Sequence, residues 1–169
     1  MATIGTSRIA LGLATFALLA GCGSTAASTT TAPGKAQASP AVSKDKGLAL
    51  AYSDAVGPAS SSLGTGMAAS GTACSATSTI DECRASVAHT RDLAYAMQTV
   101  MNDHSAPACM GPAPHDYTAG INLLIQGTSD EVAGLDNTDA PTITKGTDEV
   151  MQSTALINKA NTEISQSTC

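Results

Sequence analysis

The stretch ITKGTDEVMQSTALINKANTEI, residues 143–164, carries an apolar residue at every seventh position: Ile143, Val150, Ile157 and Ile164. Seven residues are two turns of an α-helix, so these four side chains share one face, whereas a strand would need alternation every second residue. Asp139 ahead of Pro141 supplies a helix start. Moving toward the N-terminus, Tyr117, Ile121, Leu124, Ile125, Val132 and Leu135 form a second stripe, entered through Pro112 and Pro114 and closed by Asn137 as C-cap. A third contains Ile80, Cys83, Val87, Leu93, Ala94, Met97, Val100 and Met101, with Ser78 and Asp81 as a capping pair and Pro107 beyond its end. The earliest is Leu48, Tyr52, Val56, Ala59, Leu63 and Met67, in which Gly57-Pro58 predicts a kink or a division into two shorter helices. Connections of about four to ten residues suit antiparallel neighbours. The expected fold is all-α: an antiparallel up-down four-helix bundle over residues 44–169.

Such a bundle is poorly supplied with bulk. Of 169 residues 43% are hydrophobic, but alanine inflates that share, Trp is absent, and aromatics make up 2%. Thr147, Thr154 and Asn161 fall at inward positions of the last stripe. Gly127 and Gly134 weaken the helix before it by up to about 1 kcal/mol each relative to Ala. Cysteines supply the missing restraint. Cys74 follows the first helix and Cys83 begins the second, so both sit at one end; Cys109 precedes the third and Cys169 ends the fourth, so both sit at the other. A helix of some 25 residues is about 37 Å long, far beyond disulfide reach. The expected bridges are therefore Cys74–Cys83 and Cys109–Cys169.

Residues 23–43, GSTAASTTTAPGKAQASPAVS, have no periodicity and almost no bulky apolar side chain. By composition they are a Ser/Thr/Ala/Pro linker with an r.m.s. span of roughly 25 Å, and suited to O-glycosylation. Ahead of them, Arg8 precedes an apolar run from Ile9 to Ala20, too short to cross a bilayer as a helix. The run ends in Leu19-Ala20-Gly21-Cys22. A positive start, a short apolar stretch and small residues are the parts of a secretory signal peptide. The last four residues resemble the lipobox of bacterial lipoproteins. That resemblance implies removal of residues 1–21, a diacylglyceryl group on the Cys22 sulfur, and attachment to the outer face of the cytoplasmic membrane. Residues 22–43 then become the tether. Two or three acyl chains hold firmly where one anchors only marginally.

The chain has 8 basic and 14 acidic residues and a net charge of −6. No stretch clusters Lys and Arg, which argues against a nucleic-acid partner. No Glu-x-x-His, Cys-x-x-Cys, His-Glu-x-x-His, Gly-x-Ser-x-Gly or phosphate-cradling glycine loop occurs. The acidic pairs Asp81-Glu82, Asp130-Glu131 and Asp148-Glu149 read as solvated helix faces or dipole partners. The expectation is a tethered, non-catalytic binding or interaction module with no cofactor, whose protein or small-molecule partner the sequence does not name. The second reading is a metal- or haem-binding lipoprotein. It rests on the loop from Asp103 to Asp116, where Asp103, His104, His115 and Asp116 gather imidazoles and carboxylates near Cys109 and Met110. A disulfide at Cys109 would remove its thiolate from that set.

Overall fold

The computed structural model describes residues 44–167 and Cys169; the signal and linker segments lie outside the described residues. Four helices follow one another: α1 (Lys44–Ala73), α2 (Ile80–Asp103), α3 (Ala113–Asn137) and α4 (Ala140–Ser165), with a short 3-10 turn at Ala108–Met110. No strand occurs among the described residues. Gly66 of α1 faces Thr90 and Leu93 of α2, while Ser70, one turn later, hydrogen-bonds Ser86, so the two helices run antiparallel. Arg84 pairs with Asp136 and Gln98 with Asn122, which makes α2 and α3 antiparallel as well. Both expected disulfides are present, with Cα–Cα distances of 4.4 Å for Cys74–Cys83 and 5.4 Å for Cys109–Cys169.

Local chemistry shifts several boundaries. The start of α2 is capped by Thr79 rather than Ser78. Its hydroxyl accepts from the Glu82 backbone N–H, and the Glu82 carboxylate accepts from the Thr79 N–H at 2.8 Å. Glutamate reaches back to the cap where the shorter Asp81 does not. The C-cap of α3 is Thr138, in the left-handed region at φ 54°, and Asn137 is its last helical residue. α1 runs as one helix through Pro58 instead of dividing. Pro58 lies on the exposed face. Leu63, with Val56 and Ala59 alongside, packs into the core from both sides of it, holding the two halves in line.

The central core is Leu63, Ala94, Met97, Ala113, Tyr117, Ile121, Leu124, Ile125 and Ala160. Met97, Ile121 and Leu124 are the largest fully buried apolar side chains. Tyr117 enters this layer and keeps its hydroxyl 2.8 Å from the Ser60 Oγ of α1, so the polar tip of a buried ring is partnered. Two apolar residues of the expected stripes are exposed: Leu48 at 49%, its place taken by the neighbouring Ala49, and Ile80 at 57%.

Among the described residues α3 and α4 form the most extensive helix pairing, and small residues make it close. Ala113, Gly120, Gly127 and Gly134 recur every seven residues along α3, and Gly146, Ser153 and Ala160 do so along α4; all are buried. A Cβ on Gly127 would stand 2.7 Å from the Gly146 carbonyl oxygen and 2.9 Å from the Val150 nitrogen. A Cβ on Gly146 would meet the Gly127 carbonyl oxygen at 2.5 Å. At this crossing backbone lies against backbone. Ile143, Val150, Ile157 and Ile164 flank the seam as half-buried residues, and Thr147 and Thr154 are likewise half-buried, while Asn161 is exposed.

Close approach also covers side chains beside the seam. The Asp81-Glu82 pair is exposed as expected, but Glu149 is 9% exposed and Glu131 is half-buried. Gln126 donates to Glu149 Oε1 at 2.7 Å, and Lys145 lies 2.6 Å from Asp130 and 3.4 Å from Glu149. The same arrangement recurs two heptads away, where Lys159 sits between Asp116 at 2.6 Å and Glu163 at 3.7 Å. Each lysine thus bridges the aspartate of α3 and a glutamate one turn on in its own helix. The lysine heads are exposed to solvent, so these pairs add little to stability.

Glu131 accepts a hydrogen bond from Thr147 Oγ1 at 2.9 Å, yet burial pushes its carboxyl pKa up. A carboxyl whose pKa is higher in the folded state favours folding below the ordinary glutamate range, and that contribution is lost as pH rises through the folded value. Glu131→Gln keeps an acceptor for Thr147 and removes the charge. Thermal melts should show it raising Tm at pH 7, with the gain shrinking toward pH 4. An equal gain at both values would mean that ionisation of Glu131 is not the cause.

Candidate functional site

The segment between α2 and α3 is built to hold a fixed shape. His104 ends α2 in an extended conformation, and Pro107 opens the 3-10 turn, whose closure is made by Met110 N–H to the Pro107 carbonyl at 3.0 Å. Gly111 follows at φ 60°, a positive φ that glycine adopts without a Cβ penalty. Pro112 then accepts from the backbone N–H groups of His115 and Asp116 as α3 begins. Met110 is buried with Ala49 and Tyr52 of α1, and the Cys109–Cys169 bridge packs against that cluster. The loop is therefore anchored at its middle by one side chain and one disulfide.

Beside it lies an open groove of about 470 Å³ whose lining includes Tyr52, Met101, His104, Pro114, His115 and Thr118. Both histidines of the sequence reading reach this groove, while Asp103 and Asp116 are not among its lining residues. Asp103 is exposed at the last turn of α2. Asp116 is committed elsewhere. The Lys159 ammonium beside it holds its carboxyl below the usual carboxylate range, with a lesser contribution from His115, whose Nδ1 lies 3.5 Å away. Among the described residues no group of three or more His, Cys, Asp and Glu side chains converges to hold a metal ion, so the four-residue set Asp103, His104, His115 and Asp116 is not assembled. Cys109 is in its disulfide and offers no thiolate.

A second open groove, of about 380 Å³, runs between α1 and α2, with Ser61, Ser62, Thr65, Gly66, His89 and Leu93 in its lining. Its hydroxyls face their own helix: Ser62 donates to the Pro58 carbonyl and Thr65 to that of Ser61. No carboxylate lines it to orient His89, so the serines and the imidazole lack the third group of an activated nucleophile.

Periodicity marked Tyr52 and Met101 as stripe residues and gave no sign that they line this groove. Both fit an apolar stripe, and only the packing of α1 over the loop brings Tyr52 to the histidines. Comparison of the chain with protein-family models, with curated proteins and with solved structures finds no match.

Proposed function

We propose that the protein is an exported bacterial lipoprotein, anchored through Cys22, whose helical domain is a non-catalytic binding or interaction module at the outer face of the cytoplasmic membrane. The observation that carries this reading is the run ending in Leu19-Ala20-Gly21-Cys22. Two disulfides within residues 44–169 support it, because such bridges persist in oxidising compartments outside the cytoplasm. No described helix is long and apolar enough to cross a membrane. Removal of residues 1–21 takes away Arg8 and no acid, so 7 basic and 14 acidic residues remain; the resulting charge of −7 would set the chain against an anionic lipid surface, which leaves the acyl chains to hold it there.

The test expresses the full chain and its Cys22→Ala variant in a bacterial host that processes lipoproteins. The unaltered chain should enter the membrane fraction and incorporate a labelled fatty acid, and the variant should lose the label. Equal labelling of the two overturns the anchor. Crosslinking on intact cells should then give a discrete adduct of the anchored domain, whereas a turnover activity of the purified protein would contradict the non-catalytic reading.

A further inference from the structure

We propose that Met101, His104 and His115 form a site for a monovalent copper ion in the groove at the α2–α3 end of the bundle. The inference rests on the groove and is independent of the lipid anchor. Met101 lies in the last turn of α2, His104 is the extended residue that ends it, and His115 comes from the first turn of α3. All three line the same open space. Both imidazoles are exposed, while Met101 is half-buried.

The donor set selects the ion. It offers two imidazoles and one thioether, with no carboxylate among the groove's lining residues and with Cys109 held in its disulfide. Zinc sites draw on three or four imidazole, thiolate or carboxylate ligands, and magnesium and calcium on oxygen. A thioether with imidazoles is instead a soft set, which favours Cu(I). His115 Nδ1 lies 3.5 Å from the Asp116 carboxylate, a neighbour of the kind that orients a ligating imidazole and leaves Nε2 for the ion. The Cys109–Cys169 bridge and buried Met110 hold the loop between the two histidines, so little ordering is left for the ion to impose.

The test titrates the full chain with Cu(I), kept reduced by ascorbate so that no thiol opens the disulfides, against a chromophoric Cu(I) chelator. One equivalent should be withheld from the chelator. The double variant His104→Ala/His115→Ala should lose it, with unchanged far-ultraviolet circular dichroism because both side chains are exposed. Met101→Leu, which keeps the packing volume and removes the thioether, should weaken retention. No retained equivalent, or equal retention by the double histidine variant, overturns the proposal. Tighter retention of Zn(II) than of Cu(I), with the same histidine dependence, overturns the assignment of the ion.

Discussion

Gly127→Ala will destabilise the domain by about 2 kcal/mol, at the middle of the range for overpacking a fitted interior. Helix propensity alone forecasts the opposite, since alanine is the better helix former by up to about 1 kcal/mol. Sterics decide the sign. The new methyl would stand 2.7 Å from the Gly146 carbonyl oxygen and 2.9 Å from the Val150 nitrogen, and neither is the yielding end of a side chain. To admit it, α3 and α4 must separate along a seam that also holds Gly120, Gly134, Ser153 and Ala160. Gly64→Ala is the control. Nothing lies within 4 Å of a Cβ on Gly64, in the exposed middle of α1, so that change should stabilise by about 0.5–1 kcal/mol. Urea unfolding of the two variants should give shifts of opposite sign. A stabilised Gly127→Ala would mean that α3 and α4 are not in backbone contact.

Removing the Cys109–Cys169 bridge should cost about 4 kcal/mol, against about 2.7 kcal/mol for Cys74–Cys83, because the first closes a loop of some sixty residues and the second one of about ten. Against the 5–15 kcal/mol typical of a whole domain, either loss is large. The long bridge also supports packing that the chain-entropy figure leaves out, for it lies against the cluster of Ala49, Tyr52 and Met110 that joins the start of α1 to the loop. Cys109→Ala/Cys169→Ala should therefore lower the urea midpoint more than Cys74→Ala/Cys83→Ala. A loss below about 1 kcal/mol for the long bridge would contradict its role in closing the bundle.

The four helices and both disulfides were legible because each rests on a signal that survives without tertiary detail. Heptad spacing marked the faces, and short connections with the length of a helix left one pairing of cysteines within reach. The meaning of the glycines was not legible. Read alone, Gly127 and Gly134 are weak points in α3; opposite Gly146 and Ile143 they are the condition for two backbones to meet. The same contact explains why Glu131 and Glu149 were misplaced on a solvated face. A helix face counts as exposed until a partner comes close enough to cover its edges, and here the absence of side chains in the seam brings the partner close. Leu48 and Ala49 changed places as well: size favours leucine for the interior, but it is Ala49 that packs with Tyr52 and Met110. In the candidate site the two histidines were visible as a pair, whereas the capture of Asp116 by Lys159, forty-three residues away, depends on the α3–α4 register.

The most direct test of the account is a non-reducing peptide map of the full chain recovered from bacterial membranes. Cys74–Cys83 and Cys109–Cys169 cross-links are expected, with no free thiol and with Cys22 recovered only as a lipid-modified N-terminal residue. A free Cys109, a Cys74–Cys109 bridge, or an unmodified Cys22 thiol would contradict it.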